Sequence, residues 1–75
     1  MNLASFRILE HFSYAHLPIF LQAISKPVCE LAVVMAENLD SENPVAGAEV
    51  TTGLRKLLEA KDCFVRARLA LERKV

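Results

Sequence analysis

The sequence predicts an all-α protein: a helical hairpin of two long helices with a short N-terminal helix or arm, assembling into a homo-oligomeric bundle. Three observations predict it. Apolar residues recur at helical spacing over two long stretches. The one clear cluster of turn-forming residues, DSENPVAGA at 40–48, lies between them. Finally, 53% of the 75 residues are hydrophobic. A chain of this length forms one domain, and a domain of about 60 residues buries only ~60% of the surface its unfolded chain exposes. The apolar surplus therefore points to self-association, a common support for small folds.

The N-terminal arm spans residues 1–13. Leu3, Phe6, Leu9 and Phe12 recur every third residue. A helix this short does not hold alone, so it is expected to dock through those side chains. The segment SYAHL then leads into Pro18, which suits a first helical turn because its missing donor costs nothing there.

The first long helix is placed at 18–39. Phe20, Leu21, Ile24, Val28, Leu31, Ala32, Met35 and Leu39 cover one broad face. Ile19, Cys29 and Val33 interrupt the opposite side among Gln22, Lys26, Glu30 and Glu37. A helix apolar nearly all round is buried on more than one side, and in a short chain the second partner is expected to be another protomer. Pro27 removes one backbone hydrogen bond. Either the helix bends at 23–27, the favoured outcome, or it divides with Ser25 near a new cap.

The loop is placed at 40–48, with a turn of helix possible after Pro44, and the second long helix at 48–73. Val50, Leu54, Leu57, Leu58, Phe64, Val65, Leu69 and Leu71 share one face. Arg55, Glu59, Asp62 and Arg66 lie opposite, with Asp62–Arg66 a favourable i,i+4 pair. Glu49 near the start and Arg73 and Lys74 at the end match the helix dipole. Ala60, Cys63 and Ala67 form a strip of small residues that lets another helix approach.

Charge excludes some functions. Nine basic residues balance nine acidic ones, without the excess that non-specific nucleic-acid binding draws on. The 17–39 stretch is apolar, yet Lys26, Glu30 and Glu37 make it a costly membrane span. The N-terminus lacks a signal-peptide layout. The expected protein is cytoplasmic and binds neither membrane nor long nucleic acid. Cys29 and Cys63 read as reduced, half-buried thiols, one bridge between the helices being the alternative. With His11 and His16 they form no metal-ligand spacing, and no cofactor is implied. Neither Ser25 nor Ser41 has a His–Asp constellation nearby, and Cys63 has no activating base; the chain is expected not to be an enzyme.

Three constellations qualify as binding groups. Lys61 and Arg68 fall inside the apolar arc of the second helix, one heptad apart. Their stems can snorkel; otherwise a buried cation needs an anion, from Glu30, Glu37 or a bound phosphate. Phe12, Tyr14, His16 and Lys26 place rings beside a lysine, a set that stacks a base and holds its phosphate; the plainer account is an arm pinned by its aromatics. Thr51, Thr52 and Gly53 offer hydroxyls and donors near a helix start, or simply pack.

Tyr14-Ala-His16-Leu-Pro18, Ser25-Lys26-Pro27, Glu30-Leu-Ala32, Glu49-x-Thr51 and Leu54-Arg-Lys56-Leu-Leu-Glu59-Ala60-Lys61-Asp62 followed by Val65-Arg66-Ala67 form a pattern across residues 14–68. It resembles the two-helix hairpin of short phage anti-defence nucleotide sponges, the anti-CBASS and anti-Thoeris proteins. The resemblance implies a non-catalytic homo-oligomer, often a hexamer. It implies that a cyclic di- or trinucleotide messenger is sequestered in pockets shared between protomers. Carried onto this sequence, Tyr14 stacks the base and Lys26 contacts phosphate. Thr51 and Thr52 supply hydroxyls, and Arg66 or Arg68 lines a pocket where second helices meet.

Overall fold

The computed structural model describes residues 3–73. Among them are three α-helices, α1 (Leu3–Leu9), α2 (Ile19–Asn38) and α3 (Pro44–Glu72), and one 3-10 turn, Glu10–Phe12; there is no strand. The all-α class follows. Met1, Asn2, Lys74 and Val75 lie outside the described residues, and with them the expected pairing of Lys74 with the helix dipole.

The arm is helical as its spacing predicts, but it tightens from α-helix to 3-10 turn after Leu9. That tightening drives Phe12 into the interior, where it is fully buried with Ala32, Ala36 and Leu54. Small residues on α2 therefore make the seat for the arm's one large ring. Ser5 is the other buried residue of the arm, and Phe6 and Leu3 stay more than half exposed. The period-three apolar stripe thus overstates what the arm buries.

Helix α2 is continuous through Pro27, so the proline does not divide it. Pro27 is exposed, which leaves room for its ring; its missing N–H leaves the Ala23 carbonyl without the usual helical donor. Leu21, Ser25, Ala32 and Ala36 make the buried stripe, at intervals of four, seven and four residues.

Helix α3 begins four residues before the expected start. The Asn43 side chain accepts from the backbone N–H groups of Val45 (2.9 Å) and Ala46 (3.2 Å). Asn43-Pro44 is a cap followed by proline in the first turn, both favoured in those places. The loop expected at 40–48 therefore shrinks, and Gly47 joins the helix, its N–H reaching the Asn43 carbonyl. Glu49 consequently sits beyond the first turn, where it gains little from the dipole.

Helices α2 and α3 run antiparallel. The Arg68 guanidinium carbon stands 5.7 Å from the Phe20 ring centroid, and Leu39 lines one groove with Ala46, Val50 and Gly53. The arm packs on one side of this pair. The molecule measures 49 × 19 × 16 Å with a radius of gyration of 13.8 Å, against about 11 Å for a compact domain of this length.

Candidate functional site

Tyr14 and His16 lie in the segment that joins the 3-10 turn to α2. The Leu17 N–H donates to the Tyr14 carbonyl at 3.0 Å, closing a tight turn. Gln22, one turn into α2, reaches back and donates to the Leu17 carbonyl at 2.8 Å and to the Ala15 carbonyl at 3.4 Å. Gln22 thus fixes the segment that carries Tyr14 and His16. Sequence reasoning placed Gln22 only on a polar face; its spacing after a turn ending in Pro18 is the signal that could have found it. Tyr14 is half-buried, whereas His16 and Lys26 are exposed. No carboxylate among the described residues lies within ion-pair distance of Lys26.

The Phe20–Arg68 contact brings the C-terminal part of α3 to this same end. Arg68 is also ion-paired with Glu72 at 2.8 Å. The ring attracts the guanidinium and Glu72 pairs with it, so Arg68 has two partners within its own chain. Arg66 is exposed and donates to the Cys63 sulfur at 3.2 Å; it does not form the expected pair with Asp62. The Phe20 contact thus sets Arg68 beside the first turn of α2, just after the segment that carries Tyr14 and His16; Arg66, two positions earlier on α3, points to a different face, about 200° round the helix.

The remaining expected site residues lie elsewhere. Thr51 and Thr52 are fifteen and fourteen positions before Arg66 on α3, roughly 22 Å along the axis at 1.5 Å per residue. The Thr51 side chain is buried, and its hydroxyl shares a 3.0 Å hydrogen bond with Ser5. That bond fastens the arm, so within one chain Thr51 belongs to the packing of α1. Thr52 is exposed.

Lys61 resolves its own anomaly. Its ammonium donates to the His11 carbonyl at 2.9 Å and lies 3.5 Å from Asp62. The side chain is 12% exposed. Neither Glu30 nor Glu37 supplies the anion; the neighbouring Asp62 carboxylate does, and the His11 carbonyl accepts a hydrogen bond beside it. Lys61 and Arg68, one heptad apart, thus serve different neighbours: Lys61 the arm, Arg68 the flank of α2.

Opposite the arm, two apolar grooves run along the α2–α3 pair. One, of about 460 Å³, is lined by Leu31, Met35, Leu39, Val50, Gly53 and Leu57, with Glu49 its one charge. The other, of about 340 Å³, is lined by Ile24, Pro27, Val28, Phe64, Ala67 and Leu71, with Arg68 at its edge.

Cys29 and Cys63 are both free, the first half-buried and the second exposed; the alternative bridge is not formed. Among the described residues no three His, Cys, Asp or Glu side chains gather as metal ligands. Helix α2 is long and apolar enough to cross a membrane by length and composition, while Lys26, Glu30 and Glu37 stand on it. No family model matches this chain, and neither a curated protein nor a solved structure was found to match it.

Proposed function

We propose that this protein is a non-enzymatic sponge: a homo-oligomer of helical hairpins, hexameric by its resemblance, that sequesters a cyclic di- or trinucleotide in pockets between protomers. One observation carries the reading. Lys26 is exposed and has no carboxylate partner among the described residues, and the half-buried Tyr14 and exposed His16 lie on the segment that leads into the same helix. A ring together with an unpaired lysine is the chemistry that stacks a base and holds its phosphate. Arg68, already oriented by Phe20, adds a planar donor. Thr52, exposed at the other end of α3, reaches such a pocket only from a neighbouring protomer. The ligand is held by mass action in the host cytoplasm and released intact.

Native mass spectrometry of the protein with a panel of cyclic di- and trinucleotides tests this. The expected result is an oligomer that gains whole nucleotide masses and returns them unchanged on denaturation. Base stacking on an aromatic contributes ~1–3 kcal/mol, so Tyr14→Ala should weaken binding about tenfold, and Lys26→Ala likewise. Unchanged affinity in both variants would remove this site assignment.

A second reading, a small helical module that grips a host or phage protein, is favoured by the apolar grooves opposite the arm. It predicts an oligomer indifferent to the whole nucleotide panel.

A further inference from the structure

We infer that α3 carries a self-complementary seam through which two copies of this chain associate about a two-fold axis, their α3 helices antiparallel. This deepens the assembly part of the proposed function and rests on it, without depending on which ligand is held.

The first argument is area. The chain exposes 5457 Å². A compact monomer of 8.4 kDa is expected to expose about 4600 Å². The excess, about 850 Å², is close to the ~800 Å² that each partner contributes to a standard interface. The excess is apolar where the grooves lie: Phe64 is 57% exposed and Leu71 76%.

The second argument is shape along the helix. Ala46, Gly53, Ala60 and Ala67 recur every seven residues on the groove side of α3. At 100° per residue, Phe64 and Leu71 fall within about 20° of Gly53. Small and large side chains thus share one stripe, Ala46 and Gly53 first, then Leu57, Ala60, Phe64, Ala67 and Leu71 in alternation. Two such stripes laid antiparallel interlock. In the register that sets Gly53 against Phe64 of the second copy, Ala46 meets Leu71 and Ala60 meets Leu57. A two-fold operation makes every such contact twice, and a seven-residue repeat keeps the seam in register along two helices.

The third argument is charge. The same register brings Glu49, the one charge in the larger groove, opposite Arg68 of the second copy. The seam is therefore electrostatically matched at both ends in the antiparallel arrangement. In the parallel arrangement like would face like.

Gly53 gives a clean probe, because a Cβ built there meets nothing within 4 Å in the single chain. Gly53→Leu starts from an unobstructed Cβ position and fills the hole meant for Phe64. Sedimentation velocity without nucleotide should show the wild type as a dimer or a multiple of it. Gly53→Leu should shift it to the monomer with helical circular dichroism retained. In a Cys29→Ser, Cys63→Ser background, Gly53→Cys mixed with Phe64→Cys should yield covalent dimers on oxidation. Those two positions are too far apart on one helix to bridge within a chain. A wild type that stays monomeric at about 100 µM, a Gly53→Leu protein that sediments unchanged, or an absence of the mixed dimer would each overturn the seam. An oligomer that survives Gly53→Leu and still binds nucleotide would overturn the seam alone. An oligomer lost on Gly53→Leu, with a wild type deaf to every nucleotide, would support the seam and remove the ligand.

Discussion

Single side chains settle where the N-terminal arm sits. The Lys61 ammonium is bound to a backbone carbonyl, and no substitution elsewhere can remove that acceptor. Replacing Lys61 with Met therefore leaves the His11 carbonyl without its donor. We expect a loss of about 1 kcal/mol, read as a lower midpoint in urea, and the loss should persist when Asp62 is also replaced. Ser25 behaves in the opposite sense. Its hydroxyl is fully buried and has no hydrogen-bond partner, a condition that costs about 1–3 kcal/mol. Ser25→Ala should thus raise the urea midpoint; a fall would mean that the hydroxyl is engaged. Little of this was legible in the sequence. Lys61 stood out as a cation on an apolar arc, but a carbonyl freed by a 3-10 turn has no signature in side-chain types. Thr51 was legible as a hydroxyl and not as the partner of Ser5, because the two are 46 residues apart.

At the level of elements, caps decide lengths. The Asn43 side chain bonds two N–H groups of the first turn of α3, and Asn43→Ala should cost about 1 kcal/mol, measured by thermal unfolding. Pro27 is the reverse case. It interrupts the hydrogen bonding of α2 while the helix runs on, so Pro27→Ala should raise the melting temperature by restoring a donor to the Ala23 carbonyl. The existence and type of both long helices were legible from apolar spacing. The start of α3 was read late because a cluster of Asp, Ser, Asn, Pro and Gly looks like loop throughout. In fact Asn and Pro there act as cap and first-turn residue, and Gly47 is carried inside the helix. The buried stripe of α2 was harder to see, since it is built of Ala and Ser where period alone favours Leu and Ile.

At the level of the molecule, the balance of buried and exposed apolar surface governs behaviour. Among the described residues five hydrophobic ones are buried, while Ile19, Val45, Phe64 and Leu71 are each more than half exposed. If association covers that surface, stability is tied to concentration by mass action. The apparent melting temperature should then rise with protein concentration, and a value constant over a hundredfold dilution would show a stable monomer. The apolar excess itself was legible from composition. Its location was not, because only the packed chain shows which flank of α2 and α3 the arm takes.

Two hydrogen bonds between the arm and α3 carry a consequence for the order of assembly. Ser5 meets Thr51 across 46 residues, and Lys61 meets His11 across 50. The arm is synthesised before α3, yet both of these bonds need a residue of α3. On a growing chain, emerging at about 5–20 residues per second, Phe12 has a partial seat on α2 but no Leu54 to close it. A helix made before α2 and α3 is thus fastened after them, and its final docking waits on the completion of α3.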